Sequence, residues 1–400
     1  MILNKYFSKS HDKIYNKSDG NYLFDKKNRR YLDTSFGSGT LLFGHNDKLI
    51  RDNLLDQIKR SLLTNQNHDL SQKFDNDLAK FFGNKRSHFV YCNSGSEASQ
   101  RAIRYSREFN KKEKVLSFKG YWHGMNEWTL DGGGMAYTNV VQNVGIPKNI
   151  KKSKIQIDYN FENIEKIIKK NYKKVSCLII EPLPGSNPKK PNFDELNLIV
   201  KICKKFGVIT IFDEIISGFR CYGKGISFML DELPDIILYG KSLGGGLPIG
   251  VVSLSEKIAK KTFLKKNSQT LAGGTFSLNP LVARSGISFL KKLRNHKFNE
   301  IELSNEFRDE LNEYFKLKKL DICIQGYCSI SRIIFTRKIF TNKWERIGEE
   351  NNSKLIKSFF NKIAKKKLIY PNNGLMFHSA LYNKKDFDNL KKILIDCINK

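Results

Sequence analysis

Two charged residues stand where a folded chain rarely leaves them. Asp213 closes the apolar run Val208-Ile-Thr-Ile-Phe212, and Lys241 follows the run Asp235-Ile-Ile-Leu-Tyr239 and Gly240. Carboxylates are seldom buried unpaired. Asp213 therefore reads either as a cap or salt-bridge partner at a strand end, or as the counter-charge of a protonated ring nitrogen, each charge stabilising the other. Lys241 precedes Ser-Leu-Gly-Gly-Gly-Leu-Pro-Ile-Gly250, and a solvated surface charge explains a lysine in that setting poorly. A partly desolvated lysine has a lowered pKa and acts as an amine nucleophile toward an aldehyde.

Two further segments carry chemistry. Asn93-Ser-Gly-Ser-Glu-Ala98 follows the short run His88-Phe-Val-Tyr91 and opens a helix that extends to about Phe109. A Ser/Gly turn at a helix start presents unpaired N–H groups and the positive end of the dipole, an anion site of phosphate size. Taken alone, such a turn more often simply caps its helix. Phe118-Lys-Gly-Tyr-Trp-His-Gly124 sets two aromatics and an imidazole between glycines. That cluster reads either as an aromatic core corner, with His123 as a hydrogen-bonded core residue, or as a platform for a planar ring. An amine nucleophile together with an acidic partner for a ring nitrogen is the minimum that pyridoxal phosphate requires.

The elements that must position these residues alternate. Val175-Ser-Cys-Leu-Ile-Ile180 reads as a strand ending at Glu181-Pro182, followed by a Pro/Gly-rich loop. A helix is expected from about Phe193 to Phe206, with Leu196, Ile199, Val200, Cys203 and Phe206 on one face and Gly207 as its stop. This alternation predicts an α/β fold with a mainly parallel sheet. In such sheets ligands bind beyond the carboxyl ends of the strands, where Asp213 and Lys241 fall. The chain ends look different. Tyr22-Leu-Phe24 and Tyr31-Leu32 flank a charged turn as a hairpin would, and the tail mixes Lys-rich helices with short strands such as Ile330 to Phe335. The expected division is residues 1–45 and 291–400 forming a smaller α+β lobe around a large domain of residues 46–290.

Composition narrows the function classes. Seventy Lys plus Arg against forty Asp plus Glu give a net charge of +30 over 400 residues, which raises nucleic-acid binding as a reading. The lysines are spread along the chain as pairs such as Lys26-Lys27, Lys111-Lys112 and Lys169-Lys170. They decorate the polar faces of expected helices, so a solvated surface is the better account, with attraction of an anionic substrate as a weaker one. The seven cysteines are scattered with no C-x-x-C pair, so neither a disulfide framework nor a metal site is expected. No apolar run approaches the roughly 20 residues that a membrane helix needs, and the N-terminus lacks the features of a secretory signal. A cytoplasmic protein without membrane or nucleic-acid partners is expected.

The ordered set of motifs is specific. Asn93-Ser-Gly-Ser-Glu-Ala, Tyr121-Trp-His-Gly, Ile180-Glu-Pro, Phe212-Asp-Glu-Ile-Ile-Ser-Gly-Phe-Arg220 and Gly240-Lys-Ser-Leu-Gly-Gly-Gly-Leu-Pro-Ile-Gly250 resemble the class III aminotransferases. So do Asp19-Gly-Asn-Tyr-Leu-Phe-Asp25, Leu42-Phe-Gly-His-Asn46 and Gly274-Thr-Phe-Ser-Leu-Asn-Pro280. The branch most resembled is that of glutamate-1-semialdehyde 2,1-aminomutase, from about residue 19 to the end and more weakly after about residue 290. The resemblance implies a fold-type I enzyme dependent on pyridoxal 5'-phosphate. It implies Lys241 as the Schiff-base lysine and proton shuttle, and Asp213 as the partner of the pyridinium nitrogen. It further implies Gly95 and Ser96 at the phosphate, Trp122 on the ring face with His123 beside it, and Glu181 near the ring hydroxyl. Thr275 matches a threonine that reaches the phosphate of a neighbouring subunit, which implies a homodimer.

This sequence also departs from that branch. Only about twenty Lys- and Asn-rich residues precede Gly20, without a match to the stretch that helps hold the substrate carboxylate, and Ser38 stands where the branch tends to carry a pocket Trp. Asp131-Gly-Gly-Gly-Met135 and the residues to Pro147 lie where the branch has a mobile lid. The expected activity is transfer of an amino group from a small-molecule donor to a separate carbonyl acceptor. The alternative is intramolecular transfer by an aminomutase, and a basic nucleic-acid-binding protein without catalysis comes last.

Overall fold

The structure, a computed structural model, describes residues 14–399 apart from 65, 131–143, 160–162, 339–342, 352, 353 and 372. The strands are, in chain order, β1 (Tyr15–Asp19), β2 (Tyr22–Asp25), β3 (Arg30–Asp33), β4 (His88–Cys92), β5 (Lys114–Phe118), β6 (Lys154–Ile157) and β7 (Val175–Ile180). They continue with β8 (Ile209–Asp213), β9 (Ile236–Gly240), β10 (Gly250–Leu254), β11 (Cys323–Tyr327), β12 (Ile330–Ile334), β13 (Leu368–Ile369) and β14 (Leu375–Phe377).

Strands β7 to β10 carry apolar residues at nearly every position, and every residue in them is buried. A strand apolar on both faces must be covered on both, which is the situation of a parallel sheet between helix layers. The described residues form a seven-stranded sheet in the order β4-β10-β9-β8-β7-β5-β6. All neighbours are parallel except β10, which runs against both β4 and β9. The helix Gly95–Asn110 buries Ala98, Ala102, Ile103 and Tyr105 in one cluster with Ile179, Ile211, Leu238 and Val252 of the sheet. Helices Asp69–Phe81 and Pro280–Arg294 join a second cluster around Tyr239 and Val251. The expected mainly parallel α/β fold is the one observed.

Local chemistry sets the helix ends. Asn192 caps the helix Phe193–Phe206 by accepting from the Glu195 N–H, and Gly207 ends it at φ 64°, the left-handed C-cap that glycine adopts without a Cβ penalty. Leu196, Ile199, Val200 and Cys203 are buried as expected. Ile202 joins them, while Phe206 packs only partly against the cluster.

The two chain ends meet. Strands β1, β2 and β3 form an antiparallel meander, and β13 adds in parallel beside β3, so residues 368–369 close a sheet begun at residue 15. Strands β11, β12 and β14 form a separate antiparallel sheet. Among the described residues no helix is long and apolar enough to cross a membrane.

The chain leaves β4, builds β5 and β6 outward, then returns on the other side of β5 to lay down β7 to β10 back toward β4. The reversal between β5 and β7 is a topological switch point, where a crevice opens beyond the carboxyl ends of the strands.

Candidate active site

Five segments converge in that crevice because each follows a strand that points the same way. They are Asn93–Ser96 after β4, Trp122–Gly124 after β5, Glu181 after β7, Asp213–Ile216 at β8, and Lys241 after β9. With Thr40 and residues Gly246–Ile249 they line a cavity of about 340 Å³. Of the residues singled out from sequence, Gly95, Ser96, Trp122, His123, Glu181, Asp213 and Lys241 all reach it. Thr275 does not. It is exposed, in the 271–276 segment outside its own chain's cavity.

At one end of the cavity, Ser94 caps the helix Gly95–Asn110 through the Glu97 N–H (3.2 Å), and the Glu97 carboxylate returns to the Asn93 N–H (2.9 Å). This reciprocal arrangement fixes the first turn, whose leading N–H groups, at Gly95 and Ser96, have no carbonyl within the helix to meet. The Trp122–Gly124 loop lies against that turn. Ser96 Oγ accepts from the Met125 N–H at 2.9 Å, and a Cβ on Gly124 would fall on the Ser96 side chain. Gly124, at φ 87°, is thus required both by its backbone conformation and by the close approach.

Along the floor, Asp213 and His123 form a buried pair, with Nδ1 to Oδ2 at 2.8 Å. The other carboxylate oxygen accepts from the Ile215 N–H at 3.1 Å. The His123 carbonyl is held by the Ser99 hydroxyl at 2.6 Å, whereas its buried Nε2 meets no hydrogen-bond partner among the described residues. Glu181 accepts from the Trp122 N–H at 2.8 Å and the Gly185 N–H at 3.2 Å, bridging the two loops at the switch point. Burial pushes its carboxyl up to about 7, and Asp213 adds to the rise, while His123 and the two N–H groups pull it back.

Lys241 is partly buried, and its Nζ donates to the Ser38 carbonyl at 2.8 Å. Burial pulls its ammonium down to about 8 against the opposing pull of Glu181 and Asp213, and Arg220 adds to the fall. An amine with that value is neutral in about a fifth of molecules near pH 7.4, far more than an ordinary lysine, and so is better able to act as a nucleophile.

Several lining residues escaped the sequence reading. Thr40, Ile215, Ile216 and Leu247–Ile249 supply much of the wall. Ile215, Ile216 and Leu247–Ile249 sit inside motifs that carry the family resemblance, but nothing local marks them as lining. Ser38, expected in the pocket, contributes its carbonyl to Lys241 and is not among the residues that line the cavity. The expected lid begins with Asp131-Gly-Gly-Gly, and residues 131–143 lie outside the described residues. Among the described residues no three His, Cys, Asp or Glu side chains gather to hold a metal ion.

With this geometry in hand, comparison with known proteins decides the family. Residues 6–323 match the family described as aminotransferase class-III. The chain belongs to the class III aminotransferases. It is similar to the glutamate-1-semialdehyde 2,1-aminomutase of Wigglesworthia glossinidia brevipalpis, at 31% identity over 409 residues, covering 99% of this chain and 91% of that protein. Among solved structures, an omega-transaminase from Sphaerobacter thermophilus superposes with a TM-score of 0.90 at 19% identity, covering 100% of this chain and 93% of that one. A glutamate-1-semialdehyde aminomutase from Pseudomonas aeruginosa gives 0.82 at 17% identity, covering 96% and 87%. At such identities the structural likeness speaks to the fold, which is that of fold-type I transaminases. This class III aminotransferase is therefore an enzyme that transfers amino groups.

Proposed function

We propose that this class III aminotransferase uses pyridoxal 5'-phosphate to move an amino group from a small-molecule donor to a separate carbonyl acceptor, with Lys241 as the carbonyl-reactive amine. One observation carries the reading: a single cavity holds a lysine amine of lowered pKa, a buried Asp–His pair and the open N-terminal turn of a helix.

The residues fit the cofactor. Gly95 and Ser96 would hold its phosphate through their N–H groups, Trp122 would cover a ring face, and Glu181 would lie toward the ring hydroxyl. Asp213 would meet the ring nitrogen, since a buried carboxylate kept in place by His123 and the Ile215 N–H is a fixed negative charge awaiting a cation. When bound, this group supplies an electron sink for the carbon that loses a proton. The protein does the rest. The helix turn and Asp213 orient the ring, His123 and Ser99 fix the floor, and Lys241 takes and returns the proton at the reacting carbon. Borohydride should fix a cofactor label on the Lys241 peptide, and a label on any other lysine would overturn the assignment.

Asp213→Asn should separate charge from shape. The amide oxygen can still accept from the Ile215 N–H while the amide nitrogen faces His123 Nδ1 and donates to it in the neutral tautomer, so the cofactor should remain bound through gel filtration. A neutral partner does not stabilise a protonated ring nitrogen, so kcat should fall by roughly 10²-fold or more. Unchanged kcat would remove Asp213 from the chemistry.

We also infer a homodimer. Leu271 and Phe276 are 74% and 59% exposed beside Thr275, and Leu55, Ile58 and Leu62, on and just beyond the helix Lys48–Arg60, are more than half exposed. An apolar surface of that kind calls for a partner, and a second copy would bring a Thr275 to each cavity. Sedimentation at micromolar concentration should give a dimer, and a fully active monomer would exclude the inference. We place the enzyme in the cytoplasm, in keeping with seven free cysteines.

A further inference from the structure

Phe36, Gly37, Ser38 and Gly39 have φ values of 41°, 58°, 61° and 85°. Left-handed residues occur singly in most chains, because the Cβ of a non-glycine residue crowds the following carbonyl. Four in succession, two of them carrying side chains, persist only where the surroundings over-determine them.

Here they do, from both ends. At the entry, one oxygen of Asp33 accepts from the Ser35 N–H and hydroxyl, each at 2.7 Å. The other accepts from the Phe36 N–H at 3.1 Å and meets His45 Nε2 at 2.8 Å. The Phe36 ring is fully buried against His45 and Tyr382. At the exit, the Gly39 carbonyl accepts from Arg220 Nε and from the Ser242 hydroxyl, both at 3.1 Å. Ser242 follows Lys241 directly, so the turn is tied to the chain that carries the amine. The product of this bracing is the Ser38 carbonyl, 2.8 Å from Lys241 Nζ. The Phe377 ring centroid lies 6.0 Å from the same nitrogen, and a Cβ added to Gly39 would come within 2.6 Å of that ring.

We propose that the left-handed turn Phe36–Gly39 is a positioning device for Lys241, whose Ser38 carbonyl holds the lysine amine whenever that amine is free. The inference rests on the reading of Lys241 as the carbonyl-reactive amine. A nitrogen joined by a double bond to carbon has at most one hydrogen and must lie at that carbon. A free amine or ammonium has hydrogens to spare and would otherwise be left in a partly buried site with unmet donors. The carbonyl supplies an acceptor at a fixed place, so the released amine waits beside the cavity in one orientation. Because a carbonyl favours the charged form of its donor, the contact also opposes the fall that burial imposes on the ammonium. Gly39 is needed for the turn to sit this close, and Asp33 to hold its entry.

The test reads the lysine itself, apart from turnover. Full-length protein carrying pyridoxamine phosphate, the cofactor form that leaves every lysine amine free, is pulsed with acetic anhydride across a pH series. Acylation of each lysine peptide is followed by mass spectrometry, the exposed lysines serving as internal controls. In Gly39→Ala the crowding against Phe377 should push the turn back. The midpoint of Lys241 acylation should then fall by about one pH unit, a tenfold gain in acidity from losing a charge-assisted acceptor. Gly39→Ala with Phe377→Leu should return it toward the parent value. Asp33→Asn, nearly isosteric, should move it in the same direction and takes over as the test if Gly39→Ala fails to fold. A Lys241 midpoint that stays at the parent value in the folded variants overturns the proposal. A borohydride label found on another lysine instead removes the reading on which it rests.

Discussion

Lys241→Ala is expected to abolish turnover, a loss on the order of 10⁴-fold or more in kcat, while the protein still binds the cofactor without a covalent bond. Two roles end together in this variant, since the same nitrogen bonds the carbonyl and carries the proton at the reacting carbon. Binding should survive because the helix turn at Gly95 and Ser96, the Asp213–His123 pair and the Glu181 bridge are built from other segments. The check is paired. Gel-filtered protein should retain the cofactor by absorbance, and borohydride should leave no label on the polypeptide. A variant that kept a tenth of the parental rate would sink the assignment. The parent enzyme has a pH signature too. The neutral amine is the nucleophile, so the rate at which cofactor-free protein captures the aldehyde should rise tenfold per unit up to a pH of about 8 and level off above it.

The frame of this site was legible in the sequence where its causes are local. Strands β7 to β9 announce themselves as apolar runs closed by Glu181, Asp213 and Lys241, since a run with no polar face has no place outside a covered sheet. The Ser/Gly helix start at Asn93–Ala98 and the stop at Gly207 were equally readable, because a helix end depends on residues within a turn of it. What stayed hidden is non-local. Nothing in the composition around His123 separates a core histidine from one paired with a carboxylate 90 residues away. The motif order, through its resemblance, brought His123 into the site, and only the fold brings it to Asp213. The Ser38 contact to Lys241 spans 203 positions and uses a backbone atom, which no residue type can signal. Its turn defeats pattern reading as well, because Phe36 and Ser38 sit at positive φ where propensity argues against them, held by Asp33, Arg220 and Ser242.

Glutamate-1-semialdehyde supplied without any added amino acceptor or donor should give at most one equivalent of product per active site. An aminomutase and an aminotransferase can run the same amino-transfer chemistry, and they differ in what happens between the two halves of the reaction. A mutase must keep its intermediate bound and return the amine to a neighbouring carbon. A transaminase lets the first product leave and regenerates itself with a second molecule, which gives ping-pong kinetics. The aminomutase reading draws on similarity to enzymes of that name, including the one 31% identical over nearly the whole chain. The transaminase reading draws on what departs from that branch. Ser38, in place of the branch's Trp, supplies a carbonyl to Lys241 and leaves Thr40 as the residue of that segment lining the cavity. Among the described residues, Ile215, Ile216, Leu247, Pro248 and Ile249 add apolar wall to the cavity, and Lys241 is the one Lys or Arg that lines it. A substrate held by such walls is gripped by shape more than by charge, and its product is freer to leave. Loading the enzyme with pyridoxamine phosphate and following 5-aminolevulinate over minutes decides between the two. Release of about one equivalent of the diamine made by aminating the aldehyde, with turnover resuming only when an amine donor is added, supports intermolecular transfer, whereas steady 5-aminolevulinate formation over a hundred turnovers with no donor present would establish the mutase instead.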